Sequence, residues 1–114
     1  MKIHEMKLFE EPFEKIKNNQ KDIEVRLFDE KRRLIEIGDR IKFRKLPDLK
    51  EEVLAEVIGL SIFSSFKELF LNFSNERFGH KDLTTPEQIS GIYKIYDKEE
   101  EAEKGVVGIH IRLF

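Results

Sequence analysis

A short stretch in the first quarter of the chain alternates between apolar and charged side chains, and it constrains the fold more than any other feature. Ile23, Val25 and Leu27 occupy every second position, with charged residues between them. A period of two residues is typical of a β-strand with one buried face. The stretch therefore predicts a strand from about Asp22 to Phe28 whose apolar face packs against a core.

The other face of this predicted strand carries Glu24 and Arg26, with Lys21 where the strand begins. Side chains two positions apart on a strand project in the same direction, so these charges can pair or hold a ligand together. Because both groups are costly to bury without partners, we expect them within interaction distance beside a solvent-accessible cleft, with Lys21 at its edge. The alternative interpretation is an ordinary strand-borne ion pair, which contributes about 0 to 1 kcal/mol.

The composition fits one domain spanning residues 1–114 and excludes several classes of protein. Basic and acidic residues are nearly balanced, 21 against 23, which argues against a protein that coats duplex DNA through its overall charge. The chain has no cysteine, which excludes a disulfide, a thiol nucleophile and a thiolate metal site. Neither a secretory signal nor an apolar run of about 20 residues is visible, so we expect a cytoplasmic protein with no membrane partner.

Alternation and capping residues predict the other elements of secondary structure. Further strands are expected at Met1–Leu8, Arg40–Arg44, Val53–Leu60 and Val106–Phe114. Helices are expected to begin at Glu10, at Ser65 with Glu68 completing a capping box, and at Thr84. Strands outnumber helices and the order is mixed, which indicates an α+β fold: a small, strongly curved sheet or barrel flanked by short helices.

Several other features favour a structural interpretation over a functional one. Phenylalanines recur at helical spacing between residues 66 and 73, and such a stripe is far more often core than a platform for stacking bases. The charged run 97–104 is interpreted as a solvated helix end or connection. His4, His80 and His110 are scattered without ligand spacing, so no metal and no cofactor is predicted. The sequence leaves a Ser-His-Asp triad open, although no pattern indicates one.

The residues around Lys21 also resemble a known family motif. Small domains of the ASCH family carry the pattern Gly-x-Lys-x-x-Glu-x-Arg, and this sequence matches its charged positions with Lys21, Glu24 and Arg26. Asn19 stands at the glycine position, where asparagine can also adopt a positive φ. The similarity covers nearly the whole chain, because it continues through residues 27–33, Gly38-Asp39 and residues 99–109.

The ASCH family has a PUA-like fold, and the resemblance implies that the motif lines a cleft between the barrel and its helices, inferred to hold RNA or a nucleotide-like ligand. Lysine and arginine can bind phosphate, and a carboxylate beside them can accept a hydrogen bond from a base amino group. Lys31, Arg32 and Arg33 follow the motif and could extend a basic rim or form an ordinary solvated turn. The expected partner is single-stranded RNA or a modified nucleoside, and the expected ligand-binding residues are Lys21, Glu24, Arg26, Arg32 and Arg33.

The resemblance also leaves a small hydrolase as the alternative. One branch of the family behaves as an amidohydrolase on acetylated cytidine, with a threonine at the position of Glu24 as the proposed nucleophile. The lysine would activate it and a later glutamate would assist, for which Glu76 is the nearest candidate here. A carboxylate at position 24 could act as a general base but could not take the threonine's role. Other ASCH-like proteins are reported as ribonucleases, so the candidate catalytic residues are Lys21, Glu24 and Glu76.

Overall fold

Five β-strands form one curled sheet in the computed structural model, which describes residues 1–114. The strands are β1 (Ile3–Leu8), β2 (Ile23–Leu27), β3 (Arg40–Lys45), β4 (Glu52–Phe63) and β5 (Val106–Leu113). Their order in the sheet is β1-β3-β4-β5-β2, with β1 parallel to β3 and every other neighbouring pair antiparallel. β1 and β2 are therefore the two edges of the sheet.

Short helices flank this sheet. They are α1 (Glu10–Lys17), α2 (Phe66–Leu71), α3 (Thr85–Ile92) and α4 (Lys98–Lys104), together with 3₁₀ helices at Arg32–Leu34 and Asn75–Phe78. None of the helices combines the length and the apolar character needed to cross a membrane. The α+β class and the curved sheet flanked by short helices are confirmed. β4 continues to Phe63, three residues beyond the predicted strand.

The helices α2, α3 and α4 begin at residues whose side chains cap them, whereas α1 has no such cap. At the start of α3, Thr84 and Glu87 form a complete capping box, because each side chain accepts a hydrogen bond from the backbone N–H of the other. At the start of α2, the Ser65 hydroxyl accepts from the N–H of Glu68 at 3.2 Å. The Glu68 carboxylate, however, accepts from the Ser64 hydroxyl at 2.8 Å. The capping box predicted at Ser65 is therefore only half formed, because the hydroxyl of Ser64, and not the backbone N–H of Ser65, donates to the Glu68 carboxylate.

The sheet buries apolar side chains on both of its faces. We call the two clusters the α1-side core and the α2-side core, after the helices that cover them. The α1-side core consists of Met6, Leu8, Phe13, Ile16, Ile35, Ile41, Phe43, Ala55, Val57, Val107, Ile109 and Ile111. The α2-side core consists of Ile23, Val25, Leu27, Phe66, Leu69, Phe70, Phe78 and Val106. The phenylalanine stripe predicted as core is confirmed, since Phe66 and Phe70 are buried there.

The alternating residues of β2 face these two cores from opposite sides. Its apolar residues belong to the α2-side core. In the register with β5, Glu24 lies opposite Ile109 and Arg26 lies opposite Val107. Because directly opposite residues share a face of the sheet, and both β5 residues belong to the α1-side core, the charged pair faces α1 and β1. Both faces of β2 are therefore covered. The alternation along this edge strand places the charged side chains of Glu24 and Arg26 in the interior of the protein.

The charged run 97–104 is a helix, α4, and the interpretation of the whole run as solvated is wrong at one position. Glu101 is 7% exposed. Its carboxylate accepts hydrogen bonds from the backbone N–H of Phe66, at 2.8 Å, and from the hydroxyl of Tyr93. The hydrogen bond that Tyr93 donates to Glu101, together with burial, raises the pKa of Tyr93 to about 12. Glu101 thus joins α4 to the start of α2, a role that a run of acidic residues gives no means to predict.

Candidate functional site

A cleft of about 1170 Å³ opens where the two edges of the sheet approach each other. Residues of β1 and β2 form one part of its wall, and residues of α1, the 3₁₀ helix 75–78 and α3 form the rest. Lys21, Glu24 and Arg26 all line it, as the sequence predicts. The Arg26 side chain spans the gap between the two edges, because its Nη2 donates to the backbone oxygen of Lys7 at 3.2 Å. The site thus lies where the curled sheet is closed by a side chain and not by a backbone ladder.

The three motif residues form a cluster of alternating charge, which we call the charge cluster. Glu24 Oε2 accepts from Arg26 Nε at 2.8 Å, and Glu24 Oε1 lies 3.3 Å from Lys21 Nζ. The side chains of Lys21 and Glu24 are each only 7% exposed, and that of Arg26 is 14% exposed. The predicted pairing of Glu24 with Arg26 is therefore confirmed. The carboxylate of Glu24 therefore pairs with two cations in a largely buried position.

The position of Lys21 differs from the prediction. We expected it at the exposed edge of the cleft, but it is buried. Its ammonium donates to the backbone oxygens of Ile23, at 3.0 Å, and of Phe78, at 3.3 Å, in addition to its contact with Glu24. An ammonium has three N–H donors, and all three are used within the protein. Lys21 therefore ties β2 to the 3₁₀ helix 75–78 and supplies positive charge with no donor left for a ligand.

Asn19 supports this arrangement from the turn before β2. Its φ is 60°, in the left-handed region that most side chains avoid. The sequence predicted that asparagine would replace the motif's glycine in this conformation, and that prediction is confirmed.

Charge and burial act in opposite directions on the charge cluster. Burial alone would raise the pKa of Glu24, but the positive charges of Lys21 and Arg26 and their hydrogen bonds lower it below its usual range. Burial likewise disfavours the charged form of Arg26, but the carboxylate of Glu24 raises its pKa above the ordinary value. Glu24 and Arg26 are consequently both ionised at neutral pH. A carboxylate with a lowered pKa is a good hydrogen-bond acceptor and a poor general base.

His80 and Gln88 also line the cleft, and sequence reasoning missed both. Gln88 is 2% exposed and is the buried residue of α3. Its Nε2 lies 3.0 Å from His80 Nδ1. The His80 ring stacks on Phe78, with centroids 6.2 Å apart and planes at 26°. Nothing in the sequence marks either residue, because each comes from a segment more than 50 positions after the motif.

His80 should titrate far below the usual range of histidine. Burial, followed by the charges of Lys21 and Lys15, lowers its pKa to about 4 from an ordinary value of 6.5. Because the unfolded state binds this proton more tightly, the contribution of His80 to stability is complete above pH 6.5 and falls as the pH drops towards 4. A pH titration followed by NMR should give a midpoint for the His80 ring near pH 4. A midpoint between 6 and 7 would contradict the described environment.

The remaining predicted residues are not all brought to the cleft. Glu76 lines it, is exposed, and makes no hydrogen bond or ion pair with its side chain. Arg32 lies in a small neighbouring groove that also contains Arg26, and its Nη1 is 3.2 Å from Asp29 Oδ2. Arg33 lies outside both, with its guanidinium 4.2 Å from the centroid of the Phe28 ring. Lys31 lines the same groove as Arg32, so the predicted basic rim reduces to these two residues.

The charges that line the cleft are balanced. Six basic and six acidic residues contribute to its wall. Several of them pair with each other outside the charge cluster: Lys15 Nζ lies 2.9 Å from Glu11 Oε1, and Arg77 Nε lies 3.1 Å from Asp22 Oδ1. The cleft is polar, but it is not the strongly basic channel that a long phosphate backbone requires.

A serine and a histidine lie together elsewhere in the structure, but they do not form a catalytic triad. Ser61 Oγ is 2.7 Å from His110 Nε2, and Arg77 Nη2 is 3.1 Å from His110 Nδ1. A guanidinium can only donate, so the unprotonated nitrogen of His110 is Nδ1 and Nε2 carries the proton. His110 therefore donates to Ser61 and cannot take its proton. The structure also contains no group of three or more His, Asp or Glu side chains placed to hold a metal ion.

Comparison with known proteins gives matches among solved structures. A crystal structure of hypothetical protein PH0355 is 38% identical, with a TM-score of 0.87 over 100% of both chains. A solution NMR structure of protein PF0455 from Pyrococcus furiosus is 36% identical, with a TM-score of 0.78 over 98% of this chain and 97% of that one. No protein-family model and no curated protein matches the sequence.

A more distant match concerns the fold alone. A crystal structure of a mutant of ZmASCH from Zymomonas mobilis is 14% identical, with a TM-score of 0.67 over 96% of this chain and 67% of that one. The ASCH-like fold that the motif led us to expect is thereby confirmed.

Proposed function

The chain belongs to the family of PH0355 and PF0455 and has an ASCH-like fold, and from that premise we propose that it binds a nucleotide or a short single-stranded RNA in the cleft between β1, β2 and α3. The observation that carries this proposal is the buried charge cluster of Lys21, Glu24 and Arg26 on the cleft wall. A buried ion pair is weak evidence for stability, since well-packed apolar residues often serve as well. Charge retained in such a place therefore favours a role in binding.

Arg26 is the member of the cluster that is best placed to contact a ligand. Of its five N–H groups, one donates to Glu24 and one to the backbone oxygen of Lys7. The remaining three have no protein acceptor. A guanidinium held rigidly at one end and free at the other is suited to a phosphate or to the edge of a base. Glu24 holds it in place and favours its charged form, and Lys21 pairs with the other oxygen of Glu24.

The balanced charge of the cleft favours a small ligand over a long nucleic acid. A single strand that contacts several phosphates would need unpaired cations along its path, whereas most basic residues here already have acidic partners. The affinity for a short RNA should therefore fall only gently with salt, with a slope of log K against log[salt] of about −0.7 to −1.5, equivalent to one or two phosphates. A fluorescence anisotropy titration at several salt concentrations gives this slope. A slope steeper than about −4 would instead indicate a long electrostatic track.

The same assay tests the proposal itself. A labelled tetranucleotide RNA of mixed sequence should bind at low salt and be displaced by excess unlabelled nucleotide. The matched pair of variants is Arg26→Ala inside the cleft and Arg112→Ala outside it, because Arg112 is exposed and paired only with Glu56. Absence of binding at any accessible protein concentration would remove the proposal.

A small hydrolase is a second candidate, and the position of Glu76 is what favours it. The three candidate catalytic residues, Lys21, Glu24 and Glu76, all line one cleft. Glu24 is engaged by two cations, so the carboxylate that is free to act as a general base is that of Glu76. Incubation with acetylated cytidine and with labelled RNA should give product if this candidate is correct. Product that persists unchanged in Glu76→Gln and Lys21→Ala would show that the chemistry occurs elsewhere.

A further inference from the structure

Gln88 has a hydrogen-bonding atom that no group in the protein satisfies. Its Oε1 is buried and without a partner, although the residue lines the cleft and is only 2% exposed. A buried acceptor without a partner is costly, and the residues of α2 that are buried in the α2-side core are all apolar. An apolar side chain at this position of α3 would avoid the cost. The retained carboxamide therefore points to a partner that is supplied by a ligand.

The orientation of the carboxamide is set by His80. The Nε2 group of Gln88 lies 3.0 Å from His80 Nδ1, so it donates to that nitrogen in the neutral tautomer that carries its proton on Nε2. Burial and the nearby positive charges of Lys21 and Lys15 keep His80 neutral at physiological pH. With Nε2 engaged in this way, Oε1 is the free atom, and it is an acceptor only. The group of a ligand that pairs with Gln88 Oε1 must therefore be a hydrogen-bond donor.

We propose that Gln88 determines base specificity in this cleft, with its Oε1 accepting from the exocyclic amino group of adenine or cytosine. The inference rests on the proposed function and adds the class of base to it. An exocyclic amino group presents donors at the edge of the base. Uracil presents instead one ring N–H between two carbonyl oxygens, which would meet the Gln88 acceptor with lone pairs facing lone pairs. A site built around a hydrogen bond rejects the analogue that cannot make it.

The imidazole of His80 beside Gln88 fits the same ligand. It stacks on Phe78, which belongs to the α2-side core and is 1% exposed, so the core holds the ring in place. His80 itself is only partly buried and lines the cleft. One aromatic ring next to one unsatisfied acceptor matches a planar base, whose faces are apolar and whose edge is polar.

Calorimetric titration with the 5′-monophosphates of adenosine, cytidine and uridine tests this specificity. The protein should bind the adenosine or the cytidine compound roughly tenfold more tightly than the uridine compound. Gln88→Leu should reduce that difference to within about twofold, while Gln88→Glu, which keeps an acceptor, should retain it. Asn72→Leu removes an exposed carboxamide at the end of α2, outside the cleft, and should leave the preference unchanged.

The outcomes separate this inference from the proposed function. If all three nucleotides bind equally, or if uridine is preferred, the role of Gln88 is overturned while binding in the cleft stands. The same holds if Gln88→Leu keeps the full preference. If neither these nucleotides nor the tetranucleotide RNA binds, both fail. Thermal unfolding of each variant shows whether a loss of preference reflects a loss of fold.

Discussion

Glu24→Ala should lower the free energy of unfolding by about 3–5 kcal/mol, the cost of removing one partner from a buried ion pair. Glu24 is the only counter-charge within contact distance of Lys21, and it also holds the Nε group of Arg26. Without it, two cations lie side by side at the edge of the sheet with no carboxylate between them. Urea unfolding at pH 7 measures the change, and a loss below about 1 kcal/mol would show that solvent already screens the cluster.

Two further variants distinguish this effect from simple loss of a side chain. Glu76→Ala removes an exposed carboxylate from the same cleft, and it should change stability by no more than about 0.5 kcal/mol. Glu24→Gln keeps the shape of the side chain and loses its charge, so its loss of stability should lie between those of Glu24→Ala and Glu76→Ala. Because the folded pKa of Glu24 is lowered, its contribution is present above an ordinary pKa of 4.5 and is lost as the pH falls below it. The variant should therefore lose less stability than the wild type on acidification through that range.

Arg26→Ala should weaken binding of a nucleotide or short RNA by about tenfold or more, the effect expected when a charged hydrogen-bond donor is removed from a binding site. Three of its N–H groups face no protein acceptor, and its neighbours in the cluster are already engaged. The anisotropy titration measures the effect. Arg26→Lys should not restore affinity, because an ammonium that keeps the contacts to Glu24 and Lys7 has one N–H left for the ligand where the guanidinium has three, and it cannot bind a phosphate or a base edge with two parallel hydrogen bonds.

The same substitution has a cost in stability that the sequence did not reveal. From the alternating pattern alone, Arg26→Ala should leave the fold intact, because the apolar face is untouched. The structure shows that Arg26 connects β2 to the backbone of Lys7 on the other edge of the sheet. We therefore expect a loss of about 1–3 kcal/mol, typical of a hydrogen bond to a charged group. Binding should be measured below the unfolding temperature of the variant.

Local patterns in the sequence were enough to predict the five strands and the first three α-helices. The alternation of Ile23, Val25 and Leu27 predicts the strand that contains these residues, and the capping box of Thr84 predicts the start of the helix that follows it. The burial of Glu101 was not predictable, because its partners, Phe66 and Tyr93, lie on other helices. A run of charged residues is usually solvated, and only tertiary structure identifies the one that is not.

The candidate site was predictable only where one strand supplies it. Glu24 and Arg26 are two residues apart on β2, and geometry alone brings them together. Lys21 appeared from sequence to be a free cation, but the carbonyl of Phe78, which lies 57 positions away, takes one of its donors. His80 and Gln88 come from the second half of the chain and carry no motif. What they do depends on packing between β2 and α3, which a single sequence does not show.

An NMR titration of the ¹⁵N-labelled protein with a short single-stranded RNA is the decisive test of nucleotide binding in the cleft. The backbone amide signals that shift should lie at residues 21–26, 75–80 and 85–92, the segments that surround the cleft. Residues on the exposed part of β4, such as Ile58 and Ile62, should not shift. Saturable shifts concentrated on β4, or an unchanged spectrum at millimolar RNA, would contradict binding in the cleft.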